Sequence, residues 1–389
     1  MKNSSSFTPP FCPNRKCNLH DPNLASSHKG HSKPWYHSRG RRRLTSGKPV
    51  FLFRCKYCGK YFCSRTFSVD YWEKRHLSLP RLVKMLTSCM SLRAIARAMH
   101  CSPKTVDNKI CRLTRQAVTI NAILRKTINL SEDLAADGFE SFTGSQYFPN
   151  NYHILVGKRS QFVYFVNYAQ LRRKGRMTEK QKRNAFKLRQ EVPIPPFEVR
   201  NRFAELIDEL SDLQLSSTKK KHLMIYTDEK PEYAPLIERM KYGGVNPSLG
   251  YRITHHVTNS KEPRTVSNAL FPVNYIDREF RKDLSEHVRE TTRFGRNVNA
   301  AVGRMELYLF HHNFIKPFRV EKRKRSWETH AMAAGFPPDT VARLLRRWTT
   351  RRIFASHAEM NMHQRKVLIR RYDTPWKEEI DSFPAYVYA

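Results

Sequence analysis

Residues 134–142 read LAADGFESF, and how this stretch is taken decides the fold. Its apolar residues suit a strand, yet Asp137 interrupts them, and aspartate is depleted in strand interiors. The stretch 151–171, NYHILVGKRSQFVYFVNYAQL, reads as two further strands joined by a GKRS turn, which gives an antiparallel meander. A charged, proline-closed segment follows near 172–197 and is expected to be a helical or mobile insertion. FEVRNRFAELIDELSDL (197–213) then places Phe203, Leu206, Ile207 and Leu210 on one helical face. HLMIYTDEKPEYAPLIERM (222–240) is a buried strand ending at Asp228, followed by a helix, and YRITHHVTN (251–259) is one more strand.

NYIDREF (274–280) opens a last helix, expected to run from Tyr275 through RKDLSEHVRET. On its stripe of Ile276, Phe280, Leu284 and Val288, Asp277 lies about 40° from the centre and Glu279 about 120°. Asp277 therefore borders the packed face and Glu279 points to water, with Asn274 as a helix cap. This order of elements suits a mixed sheet with helices on its faces. In such a sheet Asp137 and Asp228 lie side by side and Asp277 leans over them. Three acids so gathered repel one another unless divalent cations neutralise them. Mg²⁺ favours such hard oxygen ligands, and two ions ~3.5–4 Å apart suit phosphodiester displacement. Glu279 and Glu306 stand as alternatives for the third acid, although the helical phase of Glu306 favours packing.

The chain of 389 residues carries 71 Lys and Arg against 34 Asp and Glu, a net charge of +37. Such an excess disfavours the compact state unless a polyanion neutralises it, and nucleic acid is the polyanion expected. No apolar run approaches the ~18 residues of a membrane span, and MKNSSSFTPPF lacks the apolar core of a signal peptide. A cytoplasmic protein without a membrane partner is expected. Its eight cysteines should then be reduced and serve metal binding or packing.

CPNRKC places Cys12 and Cys17 close together, and FRCKYCGKYF does the same for Cys55 and Cys58. Two such pairs suit one tetrahedral Zn²⁺, with Gly59 supplying a knuckle turn. Cys63, His20, His28 and His31 are spare donors, and the competing reading is a set of free buried thiols. The basic stretch between the pairs, with Arg41 and Arg42, suits an arm lying on DNA. From Leu79 the period turns helical. Ser91 caps a helix facing inward through Leu92, Ile95, Ala96 and Met99. Ser102 then caps another, with Pro103 in its first turn and Val106, Ile110 and Leu113 inside. The pair fits a helix-turn-helix whose outward positions are Lys104, Thr105, Asp107, Asn108 and Arg112. Lys and Asn read base edges, and Arg112 meets phosphate. A plain three-helix bundle with a solvated polar face is the alternative.

Taken in order, CPNRKC and CKYCGKYF, AIARAMHCSPKTV, AADGFESF, IYTDEK, FPVNYIDREFRKDLSEHVRETTRFGRNVN and YLFHHNFIKPFR resemble a known family. It is that of the bacterial insertion-sequence transposases with a DDE active site on an RNase H-like fold, in the lineage typified by insertion sequence one. The resemblance implies a multidomain α+β protein. Its parts would be a zinc ribbon over 1–76, a helix-turn-helix over 77–130, an RNase H-like catalytic domain over 131–320, and a basic helical extension over 321–389. It implies binding of double-stranded DNA at terminal inverted repeats, cleavage and strand transfer with Mg²⁺ or Mn²⁺, a homo-oligomer in the synaptic complex, and a nucleoid-associated bacterial location. Asp137 and Asp228 match the paired aspartates. The family's Ile-Glu-Arg stands here as Ile276-Asp277-Arg278, a carboxylate one methylene shorter. A catalytically decayed transposase, or a zinc and helix-turn-helix regulator, is the alternative function.

Overall fold

The computed structural model describes residues 7–28, 34–43, 49–216, 222–243, 252–259, 261–288, 293–319 and 327–373. His31 and the basic run at 321–325 lie outside them. The architecture is mixed α+β, with twelve α-helices and two sheets among the described residues.

The N-terminal part begins with a short helix, α1 (Pro22–Ser27), and a three-stranded antiparallel sheet: β1 (Tyr36–Arg43), β2 (Pro49–Cys55) and β3 (Tyr61–Cys63). Its core is aromatic. Phe11, Trp35, Phe53, Phe62 and Phe67 pack together, and Phe354 from far along the chain joins them. Three strands bury too little alone, so this second attachment supplies part of the missing apolar contact.

Three helices follow, each started by a serine whose hydroxyl accepts a backbone N–H. Ser78 opens α2 (Leu79–Leu86), Ser91 opens α3 (Leu92–Ala98) and Ser102 opens α4 (Pro103–Arg125). Helix α4 has 23 residues and is about 35 Å long. Its first half completes the helix-turn-helix, and its second half, from Leu113 to Ala122, is almost wholly buried. Thr114 Oγ1 donates to the Gly303 carbonyl at 2.8 Å, and Trp348 Nε1 donates to the Leu113 carbonyl at 3.4 Å. One hydrophobic cluster thus runs from Leu79 through the central sheet to Trp348, across the expected segment boundaries at 130 and 320.

The second sheet has the order β6-β5-β4-β7-β8. β4 (Leu134–Phe142), β5 (Pro149–Gly157) and β6 (Val163–Gln170) form the expected antiparallel meander. β7 (His222–Thr227) lies parallel to β4, and β8 (Arg252–Val257) lies parallel to β7. The charged insertion forms α5 (Glu179–Glu191), started by a reciprocal Thr178–Gln181 cap. Helices α6 (Glu198–Ser216) and α7 (Tyr233–Gly243) share a core with Leu134 and Ala136 of β4. Helices α8 (Phe271–Asp283) and α9 (Val298–Phe314) share another with Ala135 and Phe139. Successive strand residues face opposite sides, so Asp137 shares the face of Ala135 and Phe139, toward α8. The chain then adds α10 (His330–Ala333), α11 (Pro338–Thr350) and α12 (Met362–Ile369). Within α11 the arginines of the LLRRWTTRR run are exposed while Trp348 is buried against Phe310.

Helix α8 departs from expectation. It begins at Phe271 with Pro272 in its first turn and stops at Asp283. Asn274 is therefore not its cap, and Asp277 sits mid-helix, away from the free N–H groups of the first turn. Proline early in a helix costs no hydrogen bond, so this register starts one turn sooner than the cap reading allowed.

Candidate functional site

The parallel pairing of β4 with β7 aligns Leu134 with Ile225 and Ala135 with Tyr226. Continued two residues beyond Ala135 and Tyr226, the same register sets Asp137 opposite Asp228, which follows the end of β7. Lys230 joins them. Its Nζ lies 2.8 Å from Asp137 Oδ1 and 3.5 Å from Asp228 Oδ2, and 5.3 Å from the centre of the Tyr233 ring. Asp137 Oδ1 also accepts the Gly138 N–H at 2.6 Å. A Cβ at 138 would meet the Asn151 amide at 2.3 Å, so any larger residue there would force the Asn151 side chain to move.

Asp277 approaches from α8. Burial, and then the charge of Asp137, push its carboxyl up to about 7. Burial and the same Asp137 charge raise the Asp228 carboxyl as well. Both acids are thus within electrostatic reach of Asp137. Asp277 Oδ1 is buried and has no hydrogen-bond partner, an arrangement that disfavours its ionised form. A carboxylate-only donor set with an unpartnered oxygen fits a hard divalent cation. The carboxylates do not form a closed ligand shell. Among the described residues, sets of three or more metal-ligating atoms lying within 4.8 Å of one another are the four cysteines and Asp70–Glu73–His76.

The alternatives for the third acid are engaged elsewhere. Glu279 does not point to water: it is buried and salt-bridged to Lys282 and Lys316. The side of α8 taken as solvated instead faces the end of α9, where Lys316 follows. Glu306 is buried in α9 and paired with His363 Nε2 at 2.6 Å.

At the other centre the four cysteines of the two pairs converge. Cys12 and Cys58 sulfurs are 3.6 Å apart, and those of Cys17 and Cys55 are 3.9 Å apart. Tetrahedral Zn–S bonds of ~2.3 Å imply sulfur separations of ~3.8 Å. The donor set could therefore bind a zinc ion. Gly59, at φ 70, lets the chain turn so that its N–H reaches the Cys55 carbonyl at 3.1 Å. Burial pushes the Cys17 thiol up to about 11. Burial also opposes the Cys58 thiolate, yet hydrogen bonds from Asn14, the Lys60 backbone and the neighbouring thiols pull it down to about 7. The spare donors have other partners. Cys63 meets Thr66, His28 packs against Tyr57, and His20 is held between the Cys12 carbonyl and Ser356 Oγ, each at 2.7 Å.

On the helix-turn-helix, Lys104 and Asn108 are exposed and Thr105 is half-buried, its hydroxyl 2.9 Å from Ser102 Oγ. Arg41 and Arg42 are exposed on β1. Arg112 does not face outward. Its Nη1 donates to the Val69 and Tyr71 carbonyls at 2.7 and 2.6 Å, and its Nε lies 3.2 Å from Glu73. Lys109 also pairs with Glu73, so this carboxylate is already neutralised and the Asp70–Glu73–His76 set is an ion-pair network. Arg112 lies far enough along α4 for the preceding chain to pack over it.

Sequence reasoning missed Lys230, although its place two residues after Asp228 in IYTDEK was a signal. It also missed Glu132, buried under the turn after β5. Glu132 accepts N–H groups of Arg159 and Ser160 and the hydroxyls of Ser160 and Tyr164. No protein-family model matches the chain, and no curated protein matches it.

Proposed function

We propose that the protein is a transposase that binds the ends of an insertion sequence and carries out metal-dependent DNA cleavage and strand transfer. The observation that carries this reading is that one ammonium, Lys230, holds Asp137 and Asp228 together beside β4 and β7, with Asp277 of α8 buried and close enough to feel the Asp137 charge. A sheet of order β6-β5-β4-β7-β8, with an antiparallel meander and two parallel additions, is the strand arrangement expected of an RNase H-like catalytic domain. The four-cysteine cluster and the helix-turn-helix supply the DNA-holding parts, and the charge of +37 suits a polyanionic partner.

Asp137, Asp228 and Asp277 would hold Mg²⁺ or Mn²⁺, which when bound activates an attacking oxygen and stabilises the leaving one. Lys230 keeps the Asp137 and Asp228 carboxylates together through its ammonium. Asn151 packs over Gly138 and keeps that strand position closed to other side chains. Exposed Lys104 and Asn108 would read base edges, and Arg41 and Arg42 would meet phosphates.

A strand-transfer assay on end-repeat duplexes with Mg²⁺ tests this. Asp137→Asn and Asp228→Asn are expected to lower joining by at least about a hundredfold with duplex binding retained. Full activity in either variant would refute it. Lys230 itself favours a second reading, a non-catalytic DNA-binding protein descended from such an enzyme, since its ammonium already neutralises two of the acids. End-repeat binding without any metal-dependent product from the wild type would select that reading.

A further inference from the structure

A groove of about 880 Å³ opens from Lys230 toward the loops that follow β6 and precede α6. Glu140, Glu198 and Glu232 line it, Glu198 paired with Arg202, and one wall carries four cations, Arg172, Arg173, Lys174 and Arg200. Two of these are braced: Arg172 Nη2 donates to the Ile194 carbonyl at 2.8 Å, and Arg173 Nη1 donates to Gln146 Oε1. Arg173 Nε is buried without a partner, and Lys174 and Arg200 are exposed. The other wall is Pro195, Pro196 and Phe197. The Phe197 side chain is 73 % exposed, and its φ of 57 is one a bulky residue rarely adopts. The Phe197 carbonyl accepts Asn201 N–H at 2.9 Å as α6 begins. The ring is therefore held out by a left-handed backbone wedged between two prolines and a helix start.

A duplex shows this groove only phosphates and base edges, and its base faces are hidden in the stack. An exposed ring beside cations instead matches an unpaired strand, whose bases stack on aromatics while its phosphates meet Arg and Lys. We propose that the groove holds a single-stranded stretch of DNA leading to the acidic centre, with Phe197 stacked on one base. The inference rests on reading the acids as a DNA-cleaving centre, since it is Lys230 that connects groove and acids.

The test uses the zinc-loaded full chain with no Mg²⁺ or Mn²⁺ added, with a fluorescein-labelled oligothymidylate and a blunt duplex as probes. Phe197→Ala is expected to weaken oligothymidylate binding about tenfold, and Phe197→Tyr to restore it, with duplex affinity unchanged in both. In Phe197→Trp, added oligothymidylate should quench indole emission beyond the quenching seen in wild type. Unchanged oligothymidylate binding by Phe197→Ala, equal weakening of both probes, or no extra quenching would each overturn the proposal. Because no cleavage is read, such a failure leaves the strand-transfer reading standing. Loss of strand transfer in a protein that passes all three comparisons would sink only the catalytic reading.

Discussion

Asp277 presents a carboxylate oxygen, Oδ1, that is buried and unpartnered, and burial with the nearby Asp137 charge raises its carboxyl to about 7. The folded chain therefore holds this proton more tightly than the unfolded chain, whose aspartates titrate near ~3.9. The stabilising contribution is fully present below about 4 and is lost as pH rises through about 7. Asp277→Asn lacks that loss. In metal-free protein the variant should gain on wild type as pH rises from about 4 to 8, by on the order of 2 kcal/mol at the upper end. Urea titrations at both pH values check this, and an equal difference at both would contradict it. Glu279 differs in kind: its carboxylate is neutralised by Lys316 and Lys282. Glu279→Gln should cost about 2 kcal/mol of stability by leaving half-buried Lys316 with only Asp283, at 3.5 Å, as its counter-ion, which a thermal melt would register.

Among elements, the cysteine knuckles and α4 make the sharpest claims. Substituting Ser for Cys12, Cys17, Cys55 or Cys58 should lower bound zinc from one ion per chain to near none, while Cys63→Ser should leave it unchanged. Metal analysis of purified variants decides, and zinc loss in Cys63→Ser would revise the ligand set. On α4, Lys104→Ala and Asn108→Ala should weaken end-repeat binding without altering the melting temperature. Arg112→Ala should do the reverse, destabilising by about 3 kcal/mol, because its guanidinium braces the Val69 and Tyr71 carbonyls and Glu73. The caps at Ser91 and Ser102, the meander and the strand just before Asp228 were all legible in the sequence, because each is fixed by neighbours a few residues away. The start of α8, the burial of Glu279 and the inward turn of Arg112 were not. The last two depend on elements distant in sequence: Lys316 beyond α9 for Glu279, and the chain at 69–73 for Arg112. The nearness of Asp137 and Asp228 could be expected from the strand order, while Lys230, which links them, needed the sheet register to stand out from other lysines despite its place two residues after Asp228.

Across the whole molecule, α4 ties the helices proposed to read DNA to the sheet that carries the acids. Its first half ends the helix-turn-helix, and its buried half packs on α9 and Trp348. DNA held at Lys104 and a phosphate held near Asp137 would therefore be set by one rigid strut, with the groove at Phe197 adjoining the acids through Lys230. The most direct measurement is the count of Mn²⁺ bound, followed by electron paramagnetic resonance in zinc-loaded protein with end-repeat duplex. Wild type should take up Mn²⁺ that Asp137→Asn and Asp228→Asn lose, with Glu306→Gln unaffected. Equal Mn²⁺ uptake by wild type and both aspartate variants would contradict the convergence of these carboxylates on a cation site.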